Sequence, residues 1–381
     1  IFILKLNMQT TNYSSIIIDL GSGVIKSGFS GEDGPRNIFN SIVGIPKMAG
    51  LKVGMEQKER FVGDEAIENL EFMNYFPPIK RGEVADWDKF ETLMHYLLYN
   101  QMEVVPEEMS VLITESPLSS KENRAKVAEM LFEKFNVEKC HMANSSMLGL
   151  FAYGKSSGIV VDSGFNVTST VPLYEGFPLQ YASKKINLGG EDISLNLLES
   201  IKDKVEPSYK LIKGRLLADD IKEHKGYISI DNEEHEEEKQ EENPYKLPDG
   251  KELKLGNEIF KTCDILFNPP EDSKDLMSVS KMVAESLSNC DDDVRSDINE
   301  SICLIGGTTL MKNFPEKLKN ELSDNKDFGN FNLSFSPERQ FSSWVGGSIM
   351  SSLDNFHYMW VTKEEYDEKG KTLVSIDSKC F

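Results

Sequence analysis

Basic residues are in short supply in this chain. Its 42 Lys and Arg face 63 Asp and Glu, for a formal net charge of −21. An acid surplus of that size repels phosphate backbones and anionic headgroups, which argues against nucleic acid or an anionic membrane as a general partner; a locally basic patch stays compatible with it. Cysteine is sparse as well. The five residues, Cys140, Cys263, Cys290, Cys303 and Cys380, are odd in number, scattered and without CxxC spacing. Neither a disulfide framework nor a zinc site is indicated, and a reducing compartment is the simple reading. No apolar run approaches the roughly 18 residues of a membrane span. The apolar opening Ile1-Phe2-Ile3-Leu4-Lys5-Leu6-Asn7 has neither the basic start nor the small-residue cleavage site of a secretion signal. Position 1 is not Met, which leaves two readings open, a fragment or a start at Met8.

At 381 residues and 39% hydrophobic the chain can bury a large core, and it is longer than one domain usually is. Two stretches rhyme: Ile16-Ile17-Ile18-Asp19-Leu20-Gly21-Ser22-Gly23 and Ile159-Val160-Val161-Asp162-Ser163-Gly164-Phe165-Asn166. Each reads as an apolar strand that delivers a carboxylate into a tight hairpin of small or turn-forming residues, followed by a second strand (Val24 to Phe29; Val167 to Leu173). Small residues let backbone N–H groups crowd around phosphate oxygens, and an aspartate at each strand end can hold hydrated Mg²⁺ between the halves. Ile305-Gly306-Gly307-Thr308-Thr309 closes a further strand and opens a helix, whose amides can meet another part of a nucleotide. Each motif alone is weak, since strand-Asp-Gly hairpins are usually just turns. Three in one chain, two of them duplicated, point to a phosphate clamp.

Apolar spacing predicts a helix over Trp87 to Gln101, and a second one opened by Ser119 and Glu122 at capping-box distance, with Val127, Met130, Leu131 and Phe135 on one face. Strands at Ser110 to Thr114 and Ile159 to Val161 alternate with these helices, an α/β pattern. The run Asn232 to Glu242 is an acidic, solvated stretch, with a docking surface for a basic partner as the minority reading.

On these motifs and others the chain resembles the actin family from about Ser15 to Phe381. The landmarks include Gly31-Glu32-Asp33-Gly34-Pro35-Arg36, Val62-Gly63-Asp64-Glu65-Ala66, Gly306-Gly307-Thr308-Thr309, Pro337-Glu338-Arg339, Trp344-Val345-Gly346-Gly347-Ser348-Ile349 and Lys379-Cys380-Phe381. The resemblance implies an actin-like ATPase-domain fold: two similar α/β domains around a nucleotide cleft, each with a small satellite. The first large domain is expected at 1–40, 78–152 and 345–381 with its satellite at 41–77, and the second at 153–188 and 270–344 with its satellite at 189–269. The chain would cross between them near Ser145 to Gly154 and Pro337 to Gly346.

The resemblance further implies ATP or ADP with Mg²⁺ as cofactors. Gly21, Ser22 and Gly23 would form the first phosphate loop with Lys26 neutralising charge, and Ser163, Gly164 and Val167 the second. Asp19 and Asp162 would hold the metal through water. Gly190, Lys222, Glu223, Gly307 and Met311 would surround the adenosine. Departures from the family pattern are informative. Phe165-Asn166 stands where actin has Asp-Gly, placing an aromatic ring beside phosphate or ribose, and Gln340 replaces a lysine near adenine; both lower the expected affinity. Ser145 and Ser169 replace the glutamine and histidine that position the attacking water. A serine hydroxyl is too short for that task, so very slow turnover or none is expected. Asn144 would substitute for Ser145 only if the backbone shifted register by one.

For assembly, the resemblance places charged residues, Pro270-Glu271-Asp272-Ser273-Lys274-Asp275, where actin filaments use an apolar plug, which argues against self-assembly. Lys52 to Lys58 keeps much of the loop that contacts the next subunit, which argues for it. Phe151, Ala152, Gly154, Ile349, Met350 and Leu353 match the apolar cleft through which actin takes partner helices; they fit an inter-domain core equally well. The segment Met8 to Tyr13 lacks actin's acidic cluster. The expectation is a structural protein, cytoplasmic and cytoskeletal, non-polymerising, in a dynein-associated, axonemal or dynactin-like assembly with protein partners, actin itself among the candidates. A filament-forming ATPase and a nuclear chromatin-remodelling subunit are the alternatives.

Overall fold

The computed structural model describes residues 15–47, 58–206, 209, 211–230, 244–270, 273, 275–325 and 328–370. The N-terminal segment, most of the loop at 52–58, the acidic run at 232–242, Glu271, Asp272, Lys274 and the Lys379-Cys380-Phe381 tail lie outside them.

The sequence repeat becomes an architectural repeat. In one six-stranded sheet Ser15–Leu20 lies between Val24–Phe29, its antiparallel hairpin partner, and Ser110–Glu115, which runs parallel to it and to Lys139–Asn144. In the other, Gly158–Ser163 lies between antiparallel Thr168–Tyr174 and parallel Ser301–Ile305, which is followed by parallel Asn332–Ser334. Ile16 to Ile18 and Ile159 to Val161 have no exposed surface, because helices cover both faces of these central strands. The strand ends that carry Asp19 and Asp162 therefore occupy equivalent places in two sheets.

The halves meet through two helices, Ser145–Ala152 and Ser342–Ser351. Trp344 is fully buried between the sheets and donates its indole N–H to the carbonyl of Ile17 at 3.1 Å. Around it Ile17, Leu112, Leu148, Val160 and Cys303 form the core common to both halves. A larger core fills the second half from Ile159 to Phe328, and Ile42, Phe61, Ala66 and Met73 form a small separate one, against which Ile212 packs from the opposite side of the molecule.

The helix expected over Trp87 to Gln101 is present as Trp87–His95 continued by a wider, π-type turn over Tyr96–Gln101, capped by the Asp86 carboxylate on the amide of Lys89. The next helix, Lys121–Glu129, corrects an expectation: its cap is Ser120, whose Oγ accepts from Asn123 N at 3.3 Å, and not Ser119. The carboxylate that would complete the capping box also comes from elsewhere, since Glu83 accepts from the Ser120 amide. A tertiary partner moved the cap by one residue. Among the described residues no helix is long and apolar enough to cross a membrane.

Gly346 shows how closely the two helices approach. A β-carbon built there would lie 1.8 Å from the carbonyl oxygen of Leu148. Helix propensity favours alanine over glycine by about 1 kcal/mol, yet the clash can be relieved only by moving backbone. Gly346→Ala should therefore lower the urea midpoint, by an amount equivalent to about 1–3 kcal/mol. Gly34→Ala, with nothing within 4 Å of the added carbon, should leave it nearly unchanged.

Candidate functional site

The two hairpins converge on one cleft of about 1070 Å³. Strand pairing ends at Leu20 with Ile25 in the first and at Ser163 with Thr168 in the second, so Gly21-Ser22-Gly23-Val24 and Gly164-Phe165-Asn166-Val167 are equivalent four-residue turns. Asp19, Gly21, Ser22, Gly23 and Lys26 line the cleft from one side; Asp162, Gly164 and Val167 line it from the other. Gly190, Lys222, Glu223, Gly307 and Met311 line it farther along. Ser163 is the exception among the expected residues. Strand alternation turns its side chain away from the face that Asp162 occupies, and its fully buried hydroxyl pairs with Thr168 at 2.8 Å.

The two aspartates have unequal surroundings. Asp19 accepts from Lys26 Nζ at 2.8 Å, its cross-strand neighbour, and from Thr114 Oγ1 at 2.9 Å. Asp162 has Ser169 as cross-strand neighbour and one long contact, from Ser145 Oγ at 3.4 Å. Burial pushes its carboxyl up to about 6, and the negative charge of Asp19 adds to the shift. A divalent cation suits this donor set: hard carboxylate oxygens from two sides, one of them lacking a positive partner. Among the described residues no three His, Cys, Asp or Glu side chains gather as a metal cage, so such a cation would take its other ligands from water and phosphate.

The second turn is docked on a helix start. The carbonyl of Gly164 accepts from Gly190 N at 3.0 Å and from Thr308 Oγ1 at 2.8 Å, and that of Phe165 accepts from Glu191 N at 2.7 Å. Helix Gly190–Ile201 thereby spends its first amides on the hairpin. The Phe165 ring lies against Gly23 across the cleft, where an added β-carbon would meet it at 2.7 Å, and beneath the Arg215 guanidinium, 5.2 Å from the ring centre. The amine of Lys222 is bound by Gly190 O, Ser194 Oγ and Asp219 Oδ1, so it braces two helices beside the cleft. Burial raises the Glu223 carboxyl above its ordinary range.

Ser145 and Ser169 both line the cleft near Asp162. Asn144 is committed elsewhere: its side chain caps helix Ser145–Ala152, accepting from Ser146 N at 2.9 Å and Met147 N at 3.3 Å. Sequence reasoning missed Thr114, Arg215 and Asp219. Each sits on an element remote in sequence from the hairpins, and no local pattern marks it.

Over nearly its whole length, residues 10–381, the chain matches the family model described as Actin. The chain belongs to the actin family. Actin-family proteins generally bind nucleotide with a divalent cation, and the α/β halves around a cleft are the actin-like ATPase fold. The positions that depart from the actin pattern, Ser145, Phe165, Asn166, Ser169 and Gln340, all line the cleft. The residues matching actin's partner cleft divide into two groups. Met350 is 8% exposed and belongs to the core between the halves, with Phe151 packed against it. Ile349 and Leu353 are 45% and 59% exposed. Gly154 has open space beyond its α-carbon, and Ala152 is half-buried.

The Asp162 shift has a consequence for the ligand-free chain. A carboxyl with a folded value of about 6, against about 3.9 unfolded, favours folding below the unfolded value, and that contribution is lost as pH rises through 6. At pH 7.5 the charged carboxylate works against folding by up to about 3 kcal/mol. In protein stripped of nucleotide and divalent metal, Asp162→Asn should melt several degrees above the parent at pH 7.5, and the gap should fall to about half by pH 5 and close below about pH 4. A gap that stays constant with pH would contradict the assignment.

Proposed function

We propose that this actin-family protein holds ATP or ADP with Mg²⁺ in the cleft and turns it over very slowly or not at all, as a non-polymerising subunit of a larger cytoskeletal assembly. The observation that supports the nucleotide reading is the convergence of two equivalent Asp-ended hairpins on one cleft, with Asp162 half-buried and its proton affinity raised although Lys26 across the cleft partly offsets the shift. In this reading Gly21, Ser22 and Gly23 wrap one side of the phosphates and Gly164 and Val167 the other. Lys26 balances charge, Asp19 and Asp162 hold the metal through water, and the region of Gly190, Lys222, Glu223, Gly307 and Met311 receives the nucleoside. The cation supplies charge neutralisation to the phosphates.

The slow turnover rests on the serines. Phosphoryl transfer to water depends on a side chain that holds the water in line, and loss of such a group typically costs on the order of 10²–10⁴-fold. The Ser145 hydroxyl is directed to Asp162 and Ser169 is almost fully buried, so neither extends into the cleft as a longer side chain would. The Phe165 ring against Gly23 occupies space between the two turns, which is consistent with weakened affinity.

The non-polymerising part rests on the charged sequence at 270–275, since an ion buried without a partner costs several kcal/mol. Actin-like proteins typically interact with other proteins. The exposed Ile349 and Leu353 beside Phe151 suit the apolar face of an amphipathic helix. Dynein-associated, axonemal or dynactin-like assemblies fit this reading, and a nuclear remodelling complex is the alternative setting.

Extraction of the purified protein should release adenine nucleotide, and calorimetric titration with Mg-ATP should show binding that drops at least tenfold in Asp162→Ala. Folded protein that carries no nucleotide and refuses Mg-ATP would defeat the reading. Single-turnover phosphate release should be slow, and Ser145→Gln combined with Ser169→His should raise it by one or more orders of magnitude. Sedimentation and electron microscopy of the isolated chain at micromolar concentration separate the assembly readings: abundant filaments would favour the filament-forming ATPase. Ile349→Asp should release a helical partner without lowering the melting temperature.

A further inference from the structure

One guanidinium ties the two halves together beside the phosphate turns. Arg81 stands with Gly82 in the two-residue turn between paired strands Ile79–Lys80 and Glu83–Val84, with φ of +50° and +80°. Such a turn prefers Asn, Asp or Gly at its first position, and a long side chain in the left-handed region is a strained choice that points to a role for the residue itself. Gly82 is held to glycine by contact as well, because an added β-carbon would lie 2.5 Å from Ser116 Oγ. The turn is thus fixed against its own half, and Arg81 is aimed away from it.

Its side chain reaches the opposite half at two points. Nη1 donates to the carbonyl of Asn166 at 2.6 Å and to Asp192 Oδ2 at 2.8 Å, while Nη2 donates to Asp192 Oδ1 at 2.7 Å. Exposed ion pairs usually contribute little, but a two-pronged fork within a network is the exception. Here the network continues: Asp192 also accepts from Gly189 N at 2.9 Å, Asn166 Nδ2 donates to Glu191 Oε2 at 2.6 Å, and Glu191 pairs with Arg215 at 3.0 Å. A single cation on the first half therefore fixes both the second phosphate turn and the start of the helix on which that turn is docked.

We propose that Arg81 is a positioning residue for the cleft, a latch that sets the second phosphate turn and holds the halves together, so that ligand retention depends on the Arg81–Asp192 fork. The inference rests on the nucleotide reading above for its ligand, while the latch itself can be measured without one. Two readouts are needed: the dissociation rate of a fluorescent ATP analogue with Mg²⁺, and amide hydrogen exchange at residues 164–167 and 189–192 in nucleotide-free protein. Arg81→Met and Asp192→Asn should each speed dissociation about tenfold, and the double variant should add little to either, because both remove the same fork. Arg81→Lys, which keeps the charge and loses the fork, should fall between parent and Arg81→Met. Exchange at both segments should quicken in the same order. Parent-like dissociation and exchange in Arg81→Met, or fully additive effects in the double variant, would overturn the latch while leaving nucleotide binding intact. A parent protein that binds no nucleotide would instead remove the function proposed above. Exchange then decides the latch, which unchanged protection in Arg81→Met would refute.

Discussion

Two carboxylates at the ends of central strands, facing one cleft, are the constraint on which the rest of this structure turns. Charge in a buried place must be met by opposite charge or by hydrogen bonds, and the molecule meets it unevenly. Asp19 has a lysine and a threonine, whereas Asp162 has a distant serine hydroxyl and a raised proton affinity. The duplicated architecture explains the contrast. Lys26 and Ser169 hold the same register position, opposite the aspartate of their own hairpin, and only one of them can neutralise it. What the second half lacks in its own residues, the cleft is shaped to receive from outside.

Much of this was legible in the sequence because it repeats there. The apolar run, the aspartate and the small-residue turn recur with matched spacing, and both sheets, both turns and the converging carboxylates follow from that recurrence. The strand alternation that aims Asp162 into the cleft also aims Ser163 away, a consequence of period-two geometry that identity of the residue alone does not reveal. Contacts between distant elements were not legible. Glu83 moved a helix cap from Ser119 to Ser120, and Asn144 became a cap rather than a stand-in for Ser145. Met350 sank into the core while Ile349 beside it stayed at the surface. Glu83 stands 37 residues from the amide it holds, and the core that took Met350 is assembled from both halves, so no window of local sequence contains either, whereas the partners of the Asn144 cap, Ser146 and Met147, are its own neighbours.

The departures from the actin pattern at Ser145, Phe165, Asn166, Ser169 and Gln340 share one cleft. Phe165 replaces a small polar contact with a ring that reaches the turn of the first half, and Arg81 reaches back from the first half to the second with a fork of hydrogen bonds. Both contacts join the two halves directly through protein groups.

The contact between Gly346 and Leu148 bears on how such a cleft can open at all. Where two helices touch backbone to backbone, no layer of side chains lies between them to shear or repack, and one cannot slide along the other without breaking the close approach. The motion left to the halves is rotation about that line, as with the blades of scissors about their pivot. Displacement then grows with distance from the pivot: elements beside the helix pair scarcely move, the two turns that face each other across the cleft separate modestly, and the elements farthest from the pair travel farthest. The contact of Ile212 with the small core of Ile42, Phe61, Ala66 and Met73 gains leverage from joining the two halves away from that pivot.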